Sequence, residues 1–71
     1  MDRSAEVFAK RIKALRKEMD LPKVAVARAV DVSDRMVGHW ECGASEPTLS
    51  NIAKLARFFQ TTPNDLMGFG E

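Results

Sequence analysis

The stretch Leu21-Pro22-Lys23-Val24-Ala25-Val26-Ala27-Arg28-Ala29-Val30-Asp31-Val32-Ser33-Asp34-Arg35-Met36-Val37-Gly38-His39-Trp40-Glu41-Cys42-Gly43 decides the fold. It reads as two short helices meeting at a tight turn over Val30-Asp31-Val32-Ser33. Pro22 is tolerated only near a helix start, where its missing N–H leaves no bond unmade, so the first of these helices runs from about Pro22 to Val30. Its inward face is Val26, Ala27 and Val30. Ser33 is a good N-cap for the second helix, and Asp34 suits the positive end of the helix dipole. That second helix turns Val37 and Trp40 inward at i, i+3 and stops near Gly43, a residue that accepts the left-handed geometry of a terminator. Ala27 is small enough for the two helices to cross closely, with Val32 and Val37 between them. The outward face of the second helix stays free, and a helix is the element that the major groove of DNA admits.

Outward from this stretch the chain reads as helix on both sides. Phe8, Ile12 and Leu15 recur at i, i+4, i+7 and predict a first helix from about Ser4 to Met19. After the loop Gly43-Ala44-Ser45-Glu46-Pro47, a fourth helix opens near Thr48, with Leu49, Ile52, Leu55, Ala56 and Phe59 at helical spacing. A brief fifth helix has Thr62 as N-cap, Pro63 in its first turn, Asp65 three residues after the cap, Leu66 inward and a stop at Gly68. No strand, repeat or linker is evident. The expectation is an all-α chain of five helices, one domain over residues 1–71.

Composition narrows the function. The chain has 71 residues, 45% apolar and 30% charged, ordinary proportions for a folded soluble protein. A domain this short buries a modest share of its surface, so its stability margin is slim. No apolar run approaches the roughly 18 residues that a membrane span needs. The start Met1-Asp2-Arg3-Ser4 lacks the apolar core of a secretion signal, and the single Cys42 cannot form an internal disulfide, which suits a reducing cytoplasm. Paired carboxylates, Cys/His or Ser/His constellations and phosphate-binding glycine loops are all missing. No catalysis, cofactor or membrane association is therefore expected, and His39 with one cysteine makes no metal site. The net charge of +1 conceals an uneven distribution: residues 1–28 hold eight Lys/Arg against four acids, and residues 29–71 hold three against six. A positive face is compatible with that polarity, as is an ordinary solvated surface.

The chain resembles the lambdoid phage repressor and Cro class of helix-turn-helix proteins. The residues that carry the likeness are Arg11-Ile12, Leu15-Arg16, Leu21, Ala27, Val32-Ser33, Val37, Trp40-Glu41, Gly43, Pro47, Leu49, Leu55-Ala56 and Leu66-Met67-Gly68. They run in register from about Phe8 to Gly68, with the helix-turn-helix over about 22–41. The resemblance implies a five-helix, lambda-repressor-like DNA-binding domain. It further implies a transcriptional repressor that binds palindromic double-stranded operator DNA as a homodimer, with the recognition helix in the major groove. A length of 71 residues, with nothing left for a second domain, is more similar to a Cro than to a full-length lysogenic repressor. A helical last third, in place of the β-hairpin that ends some Cro proteins, makes it most similar to a short, all-helical Cro from a temperate phage.

Four positions depart from the family pattern: Asp31 stands where the turn usually has Gly, Lys23 replaces a Gln, and Val24-Ala25 replace frequent acids. Asp tolerates positive φ better than most residues, so the turn survives at some cost. Arg16 and Glu41 match a pair that is partly buried and ionic in the family, which implies a structural lock between the first and third helices.

The expected base readers are Asp34, Arg35, Met36, Gly38 and His39. Arg35 can fork onto guanine O6 and N7, or it can remain a solvated partner of Asp34 or Asp31. Asp34 can accept from cytosine N4 or serve the helix start. Met36 can touch a thymine methyl or pack. Gly38 has nothing to read with and costs about 1 kcal/mol relative to Ala in mid-helix, which suggests close approach to the groove. His39, one turn beyond Arg35, can meet a base or a phosphate. Lys23 is expected on a phosphate, and Thr48, Ser50 and Asn51 offer hydroxyl, amide and N–H groups for a second one, with local capping by Ser50 and Asn51 as the alternative.

Two half-sites about 34–36 Å apart require two copies. Phe59 and Leu66 fit the inward register, whereas Phe58, Met67 and Phe69 are left over near one end and form the expected dimer surface. Folding of Phe58 and Phe69 back onto the core is the alternative. The competing functions are a restriction-modification controller, an antitoxin, or a helical protein-interaction module on the same motif.

Overall fold

Three of the five helices begin where the sequence supplies a side-chain acceptor. Ser33 Oγ accepts from the Met36 N–H, Thr48 Oγ1 from the Asn51 N–H and Thr62 Oγ1 from the Asp65 N–H, each at 3.1 Å. Each bond satisfies one of the donors that a helix start leaves open. The computed structural model describes residues 3–68. Its helices are α1 (Ser4–Glu18), α2 (Lys23–Val30), α3 (Asp34–Glu41), α4 (Leu49–Phe58) and α5 (Pro63–Met67), with no strand among the described residues. The all-α, five-helix expectation holds.

Two of the helix ends, at Asp20 and Gln60, are unexpected. Asp20, Asp31 and Gln60 all take positive φ, at 56°, 61° and 58°, beside Gly43 at 79° and Gly68 at 80°. In each of the three non-glycine cases the next residue folds back: Leu21 N–H donates to Arg16 O (3.1 Å), Val32 N–H to Ala27 O (3.0 Å) and Thr61 N–H to Ala56 O (2.8 Å). This is the closure that usually recruits glycine after a helix. Asp31 accordingly makes the turn between α2 and α3 in left-handed geometry without a glycine.

The core draws on every helix. Phe8 and Ile12 from α1, Val26 and Val30 from α2, Val37 and Trp40 from α3, Leu55 from α4 and Leu66 from α5 are all buried. Phe8 meets Trp40 edge to face, with centroids 6.1 Å apart and planes at 76°, a favoured aromatic arrangement. Helix α1 packs on α3 and α5, α2 packs on α3 and α4, and α4 packs on α5. Leu49 corrects the periodic pattern: it is 83% exposed. It lies in the first turn of α4, at the edge of the stripe that Ile52, Leu55 and Ala56 bury, where no neighbouring helix covers it.

An ionic clamp joins the chain ends of this core. Arg11 donates from Nε to Asp65 Oδ2 at 3.0 Å, and from Nη2 to Oδ1 and Oδ2 at 3.2 and 2.9 Å. Thr61 Oγ1 donates to Asp65 Oδ2 at 2.7 Å. The clamp ties α5 to α1 beside the buried Leu66.

Candidate nucleic-acid interface

Helix α3 is held on its inner side and open on its outer side. Inside, Val37 and Trp40 are sealed in the core. At its end, Glu41 receives Arg16 Nε at 2.7 Å and Arg16 Nη2 at 3.0 Å, while Arg16 Nη1 donates to the Leu21 carbonyl at 2.8 Å. The two side chains are only 12% and 5% exposed. The hydrogen bond to Glu41 raises the Arg16 pKa above its ordinary value, against the opposing effect of burial. One guanidinium therefore binds α1, the α1–α2 turn and the last residue of α3 together.

On the outer side, Asp34 and Arg35 are exposed, and Gly38 and His39 are half-buried. Arg35 has no ion-pair partner among the described residues, so the pairing with Asp34 or Asp31 is not made. Met36 sits at the margin of this face, with its sulfur 3.9 Å from the donating Ser45 Oγ, which ties it to the α3–α4 loop. Lys23, in the first turn of α2, reaches across to α3: its Nζ lies 3.8 Å from the point that a Cβ on Gly38 would occupy. Asp34, Arg35, Gly38, His39 and Lys23 thus share one side of the molecule. Thr48 and Asn51 are engaged in the α4 cap, and Ser50 is exposed beside them.

Of the leftover apolar side chains, Phe58 and Met67 lie within the described residues. Phe58 and Met67 are half-buried and packed against the core, and Phe58 stacks edgewise on Phe59 with centroids 5.0 Å apart. Phe58 lines a shallow cleft with Ala29, Lys54 and Arg57, and Met67 lines another with Phe8, Pro47 and Ile52. Phe69 lies outside the described residues. Sequence reasoning missed the Arg11–Asp65 clamp, whose partners stand 54 positions apart; Asp65 is legible only as a cap residue. Among the described residues no group of three or more His, Cys, Asp or Glu can hold a metal ion, and no helix is long and apolar enough to cross a membrane.

A short helix set on a tight turn against its predecessor, with its outer face clear, defines a helix-turn-helix fold. The helix-turn-helix family model matches residues 12–66, and the chain belongs to this family, in the lambdoid repressor and Cro class that its sequence resembles. Over 64 residues, 90% of this chain, it is 28% identical to repressor protein C2 of Salmonella phage P22 and 33% identical to the HTH-type transcriptional regulator DicA of Escherichia coli K12. It spans 30% of the first and 47% of the second. The crystal structure of the P22 c2 repressor in complex with synthetic operator 9T matches with a TM-score of 0.84 at 29% identity, covering 87% of this chain and 94% of that one. Hydroxypropylphosphonic acid epoxidase from S. wedmorenis also matches at 0.84, with 24% identity over 94% of this chain and 36% of that one. The latter likeness is one of fold.

Proposed function

We propose that this protein is a sequence-specific, DNA-binding transcriptional repressor of the Cro type, which binds palindromic double-stranded operator DNA as a homodimer. One observation carries the reading. The fold matches a repressor solved on an operator, and the corresponding helix α3 turns an exposed, unpaired Arg35 away from the core. In this reading α3 enters the major groove, Arg35 forks onto guanine, and Asp34 and His39 read beside it. Lys23 brings a second cation to the flank of the same face. Ser50, Asn51 and the N–H groups that open α4 meet a phosphate and fix the register. Two copies, joined on the side of Phe58, Met67 and Phe69, present their helices to successive turns of one groove. Occupancy of the operator then denies that groove to other proteins, in the cytoplasm and without cofactor or metal. Residues 1–71 act as one domain.

The test is selection of bound duplexes from a randomised pool. The expected product is an inverted repeat with half-site centres about 10–10.5 bp apart. A pool without enrichment overturns DNA reading, and enrichment of a single unrepeated half-site removes the homodimer.

A further inference from the structure

Gly38 stands in the middle of α3, although glycine is the poorest helix former after proline. The two ordinary reasons for a glycine are missing. Its φ is not positive, unlike those of Gly43 and Gly68. Nor does packing exclude a side chain, because a Cβ at Gly38 would meet nothing closer than 3.8 Å, an ordinary van der Waals contact. The atom at that distance is Lys23 Nζ, delivered from α2. Gly38 follows Asp34 by one turn and Arg35 by three residues, so it belongs to the same outward strip. The place where residue 38 would present a side chain is therefore fronted by a cation from another helix. Lys23 has no carboxylate partner among the described residues, which leaves its ammonium uncommitted.

We propose that Lys23 and Gly38 form one base-reading unit: Gly38 leaves a notch in the reading face of α3, and Lys23 uses it to reach the O6 and N7 of a guanine. This rests on the DNA-binding reading and replaces the phosphate contact that the sequence suggests for Lys23. A lysine at the rim of the interface would neutralise a phosphate without regard to sequence. One laid against the recognition helix, on a long flexible stem with a compact charge, stands among the side chains that meet base edges. The two guanine acceptors in the major groove are a suitable target for it.

The experiment selects duplexes with the wild type, with Lys23→Ala and with Gly38→Gln, which fills the notch, after circular dichroism confirms helical folding. Both variants are expected to lose about tenfold of the preference for guanine at the same single position of each half-site, leaving the other positions unchanged. Uniform weakening by Lys23→Ala, with a salt slope smaller by about 1, identifies a phosphate contact and overturns the proposal. Relaxation at different positions by the two variants also overturns it. Failure of the wild type to enrich any sequence defeats the DNA-binding reading instead, and this inference with it.

Discussion

Arg16 grips both carboxylate oxygens of Glu41, the last residue of α3, at 2.7 and 3.0 Å. Charges so little exposed are costly to strand singly, because the survivor keeps its desolvation penalty and loses its partner. Arg16→Met is therefore expected to cost about 3 kcal/mol, a fall in Tm on the order of 10 °C or more for a domain this small. Adding Glu41→Met removes the orphaned charge and is expected to recover much of the loss. Thermal melts of the two variants check both statements, and a wild-type Tm in Arg16→Met would show the pair to be unimportant.

Asp65 gives the acid limb of the stability curve. The hydrogen bond from Thr61, then that from Arg11, lowers its carboxyl pKa below the ordinary value, against a smaller effect of burial. A depressed folded-state pKa adds stability that is fully present above the unfolded value, about 4, and fades as pH falls through the folded one. The Arg11 and Asp65 side chains are 40% and 37% exposed, so solvent screens the clamp. Asp65→Asn is expected to lower Tm at neutral pH and to shrink the loss of Tm on acidification below pH about 4. Glu6, also lowered, by Arg3, keeps a share of that slope. An unchanged acid limb in Asp65→Asn would count against the clamp.

Gly68 closes α5 at φ 80°, and a Cβ there would stand 2.8 Å from Val7 Cγ1. Valine is stiff about χ1 and cannot simply swing aside. Gly68→Ala is expected to destabilise by about 1–2 kcal/mol from the left-handed backbone alone, with the contact in addition. Val7→Ala in that background is expected to restore the contact share and leave the backbone share. Melting of the single and double variants separates the two.

Phe58 is the test of association. It is half-buried over the core, so Phe58→Asp is first checked by circular dichroism for folding. If the dimer surface includes Phe58, the folded variant sediments as a monomer under conditions where the wild type dimerises, and its operator affinity falls. Met67→Asp, from the other cleft, is the companion variant. Wild-type dimerisation by both places the interface elsewhere.

Local chemistry accounts for what the sequence makes legible. The caps Ser33 and Thr62 act within three residues, so they are visible in the text of the chain, as are the apolar stripes of α1 and α3. Leu49 misleads because periodicity ignores where a helix ends: the spacing is right but nothing lies beneath the first turn. The contact of Met36 with Ser45 likewise depends on where the α3–α4 loop runs. The Arg11–Asp65 clamp and the meeting of Lys23 with Gly38 depend on how helices are placed in space, and no local rule anticipates them.

Asp20, Asp31 and Gln60 each hold a helix end in a backbone region that glycine occupies more comfortably. None of the three belongs to the outer face of α3 that carries Asp34 and Arg35. The fold thus holds a reserve of stability: a change on α3 that weakens it is expected to be offset from a distance by a glycine at one of these ends.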